Sequence, residues 1–582
     1  MQVEKNTVPS FDGARLVYRA WLPDVGVTRS VVLFHRGHEY GARLSELVER
    51  LAQTQPAGTA FYAWDARGHG ESPGPRGHAR HFSDLVRDVD AFFTFLKAEH
   101  GLDEESTAVV AHSVGAVVVG RWALDYAPRL RALVLVTPAL HVKLFVPFAR
   151  QGLTVLQRLS ERLGRPQPCI DSYVTGRVLT HDAAEARAYD TDPRITKRIA
   201  VNVLLGLYES AERLVRLAAD IEPPTMVMSA RADWVVKNLP MRRLYRKLPH
   251  PLRSVRVYRE AYHGLLYEQG RATVHDDISH FINTCFAHQV DRRHLLDAHV
   301  RGASRERYEW HKAGLPWLSP RRFMYRAMRF AMATVGRLSE GIRLGLESGF
   351  SSGRTLAYVY RDEAKGITPL GKVIDRTYLD SPGWAHIRVR RAQLQELVRR
   401  AVTLVGPRDA VRVFDLAGGP GHYLIDLAQA APSLQVRVRD FDVGALAEGR
   451  QRAAALGVTR IAFEQGDAFD AESLATLGEG WQVGIISGLL ELFPDNDPVR
   501  IALGGAARAI EPGGYLVYTN QPWHPQIELI AETLTHGDGR PWIMRCRSQA
   551  EMDELVRDAG FDKVAQLADD DAIFTVSLAR RR

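Results

Sequence analysis

At 582 residues the chain is too long for one hydrophobic core, so two or three domains are expected. A hydrophobic content of 46% with 25% charged residues is that of a folded globular protein and excludes a fibrous or largely disordered chain. The formal charge of +8 is concentrated locally, because residues 301–345 hold ten basic side chains against three acidic ones.

The three cysteines, Cys169, Cys285 and Cys546, lie far apart, with no CxxC and no metal-type His/Cys cluster. That pattern argues against a disulfide framework and structural zinc, so no metal is expected, and it suits a reducing cytoplasm. Met1-Gln2-Val3-Glu4-Lys5 has no apolar signal core, and no run of about 18 apolar residues occurs anywhere. A cytoplasmic protein is expected, either soluble or peripheral at the inner membrane.

Residues 9–24 alternate like two strands around the Asp12-Gly13 turn, and Ser30–Phe34 is an apolar strand running into His35-Arg36-Gly37-His38-Glu39-Tyr40. Phe61–Asp65 is another strand, entering the glycine-rich loop Ala66-Arg67-Gly68-His69-Gly70-Glu71-Ser72. Next, Ala108–Ala111 leads through His112-Ser113-Val114-Gly115 into a small-residue helix. A strand–turn–helix of this kind forces its serine into a strained conformation with an exposed hydroxyl. The backbone N–H groups at the start of the helix, Val114 among them, suit a developing oxyanion. A strand entering His-x-Gly is where a second donor belongs, which makes Gly37 the candidate. Strands alternating with helices predict a mostly parallel α/β sheet.

His35-x-Gly37, Asp65-x-Arg67-Gly68-His69-Gly70-x-Ser72 and His112-Ser113-Val114-Gly115 together resemble the monoacylglycerol lipase/lysophospholipase branch of the α/β-hydrolases, over roughly residues 8–288. The resemblance implies the order serine, acid, histidine. Asp233 follows the strand Thr225–Ser229, and His263 follows Val255–Tyr258. Serine needs an imidazole to take its proton, and the imidazole needs a carboxylate to orient it, so Ser113, Asp233 and His263 are the candidate triad. The motif departs from the family at Ala111 and at Arg36, both normally glycine. Arg36 is expected either to tune the oxyanion loop, narrowing the acyl site or meeting an anionic head group, or to point to solvent. Residues 138–220 should form a cap, with Leu144–Phe148 and Leu153–Leu156 apolar and Arg150, Arg158 and Arg162 interleaved. Such a cap suits a lid admitting an acyl chain, or else merely packs on its own domain.

Beyond residue 290, Met324, Met328, Ala331, Val335, Leu338, Ile342 and Leu346 fall at steps of three and four, predicting one long helix with an apolar stripe. With arginines largely off that stripe, residues 321–343 are expected either to touch an anionic membrane or to dock a connector onto its neighbour. Nucleic acid is disfavoured, since the charge is local and no aromatic stacking platform accompanies it.

In the second half, Val411–Asp415 enters Leu416-Ala417-Gly418-Gly419-Pro420-Gly421 and opens a helix, a loop whose small residues let a ligand approach the backbone. A second strand ends in Asp440-Phe441-Asp442, a third leads to Gly466-Asp467-Ala468, and a fourth to Gly488-Leu489-Leu490-Glu491. This series resembles a class I S-adenosylmethionine-dependent methyltransferase over about residues 395–582. The resemblance implies that Ala417, Gly419 and Gly421 flank the methionine part of S-adenosyl-L-methionine, with Asp415 among the cofactor-binding residues. Asp440 would hold the ribose, with Asp442 as fallback, and Asp467 and Ala468 would meet the adenine. No Asn-Pro-Pro-Tyr or Asp-Pro-Pro-Tyr follows the fourth strand, which disfavours methylation of base or amide nitrogen. Thr519–His524 lies where acceptor-side residues belong. Residues 346–394 either roof the acceptor pocket or form a plain N-terminal cap.

The expected architecture is therefore α/β throughout: a hydrolase over residues 1–290, a basic helical connector and methyltransferase cap over 291–394, and a Rossmann-like methyltransferase over 395–582. The expected activity is a bifunctional enzyme hydrolysing a small-molecule or lipid ester and methylating a lipid-related acceptor. Two rivals stand beside it: one half is a non-catalytic binding or regulatory module, or the chain is a membrane-surface scaffold.

Overall fold

A computed structural model describes residues 1–431 and 433–582, and the chain divides into two compact units, Met1–Asp291 and Arg292–Arg582. The first is built on eight strands: β1 (Gln2–Pro9), β2 (Arg15–Leu22), β3 (Arg29–Phe34), β4 (Thr59–Trp64), β5 (Thr107–His112), β6 (Ala132–Val136), β7 (Thr225–Ala230) and β8 (Ser254–Tyr258). Their order is β1-β2-β4-β3-β5-β6-β7-β8, with β2 antiparallel to both its neighbours, β1 and β4, and the remaining pairings parallel. The Asp12-Gly13 turn does join a hairpin, but its first strand begins at Gln2. Strands β3 to β7 are almost wholly apolar and buried, as parallel strands covered on both faces must be. The α/β-hydrolase fold expected from the sequence is present.

Between β6 and β7 the chain makes the cap. Its helix α1 (Ala149–Arg162) buries only Ser160, while Phe145, Val146, Phe148, Val155 and Leu159 stand exposed. The cap meets the turn after β8 at Leu179, whose carbonyl accepts from the Gly264 N–H at 2.7 Å.

The second unit carries β9 (Val411–Asp415), β10 (Leu434–Asp440), β11 (Ile461–Gln465), β12 (Trp481–Ile486), β13 (Ile510–Asn520), β14 (Phe561–Ala568) and β15 (Thr575–Arg581). They are ordered β11-β10-β9-β12-β13-β15-β14, parallel except for β15. The order reverses between β9 and β10 on one side and β12 on the other, which opens a crevice at the carboxyl ends of β9 and β12.

Before this sheet come α2 (Pro320–Ala333), α3 (Glu340–Ser348), α4 (Gly353–Arg361), α5 (Pro369–Leu379) and α6 (Pro382–Val405). The single long helix expected over 324–346 is thereby corrected. Thr334 leaves helical geometry at φ −111°, ψ −92°, a short 3-10 turn covers Val335–Leu338, and Ser339 starts α3 by accepting from the Ile342 N–H. The stripe keeps period but not continuity, and Met324 and Val335 on it are about half exposed. Helix α6 packs against β13 and β15 and passes unbroken through residues 394 and 395, so the domain boundary expected there falls inside a helix.

Candidate active sites

In the first unit, β5 delivers Ser113 at φ 56°, ψ −114°, a strained backbone for a side chain. Small neighbours are obligatory: a Cβ on Gly115 would stand 2.4 Å from the His35 carbonyl oxygen. Ala111 sits fully buried between Phe34 and Leu135 in the sheet register, so the departure from glycine is accommodated there. The Ser113 hydroxyl lies 2.8 Å from His263 Nε2, and His263 Nδ1 lies 2.8 Å from Asp233 Oδ2. Asp233 Oδ1 accepts from the Val235 and Val236 N–H groups at 2.7 and 2.8 Å. Burial raises the Asp233 carboxyl, but His263 and these two amides outweigh it and hold it below its ordinary value.

The His263 carbonyl accepts from Thr137 Oγ1 at 3.0 Å and meets His112 Nε2 at 3.2 Å, which ties the histidine turn to the ends of β5 and β6. Gly37 lies against the start of the helix after Ser113: a Cβ there would be 3.0 Å from Val114 Cγ2. The Gly37 segment thus adjoins Val114, the residue after the serine. Arg36 does not reach solvent. It is buried, ion-paired to Glu39 at 2.8 Å, and packed by the rings of Tyr189 and Tyr267. Sequence reasoning missed Glu39, which also receives Arg43 at 2.8 Å.

In the second unit, Gly419 and Gly421 adopt φ 55° and 61°, which their lack of a Cβ permits. A Cβ on Gly421 would press on Val438, whereas one on Gly419 would meet nothing within 4 Å, so the loop is open on that side. Asp440 Oδ2 accepts from the Gly419 N–H at 2.7 Å, and Oδ1 from the Asp442 N–H at 2.9 Å. Asp442 caps the next helix through Gly444 and Ala445, so Asp440 is the carboxylate at the loop. Asp415 takes the Ala417 N–H at 3.1 Å and the Tyr423 hydroxyl. Burial pushes its carboxyl up to about 7, against those hydrogen bonds. Asp467 accepts from the Phe469 N–H at 2.8 Å, and Ala468 turns its side chain into the core. An open glycine loop flanked by carboxylates fits a cationic nucleoside-type ligand such as S-adenosyl-L-methionine.

Beside the carboxyl end of β12 lies a cavity of about 820 Å³. Helices α2 to α6 cover it, so residues 346–394 do line a pocket, and Gly488, Glu491, Gln521 and His524 border it from the strand ends. Its wall is mainly apolar, with Met332, Ile342, Leu356, Ile374, Trp384 and Trp542 among its side chains. Sequence reasoning missed Arg390 and the role of Glu491. They pair at 3.7 Å although one hundred residues separate them, and no local pattern announces such a pair.

Comparison with known proteins divides along the same line. The family described as "Serine aminopeptidase, S33" matches residues 27–270, and the family described as "Putative methyltransferase" matches residues 278–581. Uncharacterized protein YnbC of Escherichia coli is 45% identical over 576 residues, covering 98% of this chain and 97% of that protein. The monoacylglycerol lipase of Mycolicibacterium smegmatis is 27% identical over 273 residues, 46% of this chain and 93% of that protein. The release factor glutamine methyltransferase of Xylella fastidiosa is 27% identical over 151 residues, 22% of this chain and 54% of that protein. With over half its length matched by the methyltransferase family and an end-to-end likeness to YnbC, the chain belongs to that methyltransferase family and carries an S33-type α/β-hydrolase as its first half.

Proposed function

We propose that the protein is a bifunctional enzyme, a serine acyl-ester hydrolase joined to an S-adenosyl-L-methionine-dependent methyltransferase, acting on lipid-related substrates. The observation that carries the hydrolase is the unbroken line from Ser113 Oγ through His263 to Asp233. Ser113 Oγ attacks the ester carbonyl and gives its proton to His263 Nε2, while Asp233 holds the Nδ1 proton and stabilises the imidazolium. The oxyanion accepts from the N–H groups of Gly37 and Val114, each worth about 3–4 kcal/mol in arrangements of this kind. His263 then returns the proton to the leaving alkoxide, and water repeats the sequence on the acyl-enzyme. An ester rather than an amide is favoured by the exposed apolar cap and by the likeness to a monoacylglycerol lipase.

For the methyltransferase, the open face of Gly419 and the position of Asp440 support cofactor binding. S-adenosyl-L-methionine, when bound, supplies an electrophilic methyl group. Asp440 would offer its remaining lone pairs to ribose hydroxyls, and the Asp415 carboxyl at the start of the loop would favour the cationic end of the ligand.

Ser113→Ala should lower ester hydrolysis by at least about 1,000-fold, with binding of S-adenosyl-L-methionine by calorimetry unchanged. Asp440→Ala should do the reverse. A Ser113→Ala protein with wild-type esterase activity overturns the hydrolase. Absence of calorimetric binding to the unaltered protein overturns the methyltransferase.

A further inference from the structure

The cavity in the second unit is large and apolar along most of its wall, and polar at one end. The apolar part is built by Met332, Ile342, Leu356, Ile374, Trp384 and Trp542. At about 820 Å³ it stands near the top of the range for small-molecule sites, and its lining asks for a ligand that is mostly hydrocarbon.

The polar end has a definite chemistry. Glu491 Oε1 accepts from Thr519 Oγ1 at 2.6 Å, and the carboxylate is paired to Arg390 at 3.7 Å. Its other oxygen, Oε2, is buried and has no hydrogen-bond partner, a costly state in a folded protein unless a ligand donates to it. Gln521, also buried, has no hydrogen-bond partner among the described residues. His524 accepts the Gln526 N–H on Nδ1 at 3.0 Å, which leaves Nε2–H as a donor beside Gly383. The same end adjoins the cofactor loop. Strand β12, which leads to Gly488 and Glu491, pairs with β9, whose Asp415 holds the Tyr423 hydroxyl.

An acceptor-only oxygen asks for a proton-bearing partner. A carboxylate head group would put a second negative charge beside Glu491, and an ammonium would put a second positive charge beside Arg390. A hydroxyl meets neither objection. We propose that this cavity holds a single-chain amphiphile with its alkyl chain against the apolar wall and its hydroxyl on Glu491 Oε2, so that the methyl acceptor is a long-chain alcohol or hydroxylated lipid. This assignment of the acceptor rests on the methyltransferase reading. With S-adenosyl-L-methionine bound, the hydroxyl oxygen would take the methyl group as the methyl–sulfonium bond breaks, S-adenosyl-L-homocysteine would leave as the neutral thioether, and the hydroxyl proton would pass to Glu491 Oε2, which acts as the base.

The test uses the full chain carrying Ser113→Ala, so that the hydrolase cannot consume or alter a probe. A bromine-tagged hexadecanol should quench tryptophan fluorescence saturably, because Trp384 and Trp542 stand in the cavity wall. Leu356→Trp, or Met332→Trp from another part of the wall, should fill the space and weaken that binding at least tenfold. With labelled S-adenosyl-L-methionine the alcohol should be methylated, and Glu491→Gln should lower the rate at least 100-fold while leaving cofactor binding intact. Quenching that neither filling variant changes, or a Glu491→Gln protein with full activity, overturns the proposal. So does preferential methylation of hexadecanoic acid over the alcohol. Loss of calorimetric cofactor binding in the parent protein would remove the methyltransferase reading instead, and the quenching titration would still decide what the cavity holds.

Discussion

Two buried charges set the behaviour of the two units at the level of single residues. Glu39 is fully buried and holds Arg36 and Arg43, and Arg36 leaves Nε and Nη1 without hydrogen-bond partners. Removing one member of such a pair costs about 3–5 kcal/mol, because the other charge stays behind without compensation. Glu39→Ala should therefore destabilise the first unit by about that amount in urea unfolding, and the double variant Glu39→Ala/Arg36→Met should recover part of the loss. Asp415 behaves differently. Its folded carboxyl is raised to about 7 by burial, so between the unfolded value near 4 and pH 7 the folded state binds the extra proton, and stability from this group falls as pH rises. A cationic ligand favours the deprotonated form. Affinity for S-adenosyl-L-methionine should thus strengthen as pH rises through about 7 and level off above it, and Asp415→Asn should flatten that dependence in calorimetric titrations.

At the scale of elements, Gly115 shows how a helix start governs a neighbouring loop. A methyl group there would stand 2.4 Å from the His35 carbonyl oxygen, and backbone on both sides leaves no flexible end to move. Gly115→Ala should push apart the segments that carry Gly37 and Val114. The expected result is a fall of about 100-fold in kcat/KM for ester hydrolysis with the fold retained by circular dichroism, since displacements near 1 Å at a site cost that much. The reason Ser113, Asp233 and His263 were legible in sequence is equally local: each lies within a short turn after a strand that can be read from its residues. Asp440 and Asp442 could not be separated that way, because only the fold shows that Asp442 caps a helix while Asp440 receives the Gly419 N–H. The break at Thr334 was hidden for a related reason. The apolar period continues across it, and the start of the next helix is fixed by a tertiary bond, the Ser339 hydroxyl donating to buried Asp375 at 2.5 Å. Arg390 and Glu491 were unreadable because their pairing exists only after α6 has crossed the sheet.

For the whole molecule, the uneven charge is the remaining feature to explain. Among the described residues no helix is long and apolar enough to cross a membrane. Residues 301–345 hold a net +7, and within α2 and the turn after it Arg321 is engaged by Glu528, whereas Arg326, Arg329 and Arg337 have no acidic partner among the described residues. Phe323, Met324 and Phe330 on the same helix are exposed. Cations beside exposed apolar side chains are the composition of a helix that lies in an anionic interface. We propose peripheral binding there, at about 1 kcal/mol per arginine near the surface. Changing Arg326, Arg329 and Arg337 to Gln should then weaken co-sedimentation with vesicles containing anionic lipid by roughly 100-fold. Binding of the parent protein should fall steeply as salt shortens the screening length below about 8 Å, and vesicles of neutral lipid should retain little protein at any salt. Equal sedimentation of the triple variant would assign the arginines to solvent alone. If the triple variant lost vesicle binding yet kept both enzymatic activities in detergent, the segment would be a locator for two working active sites, and the scaffold reading would fail.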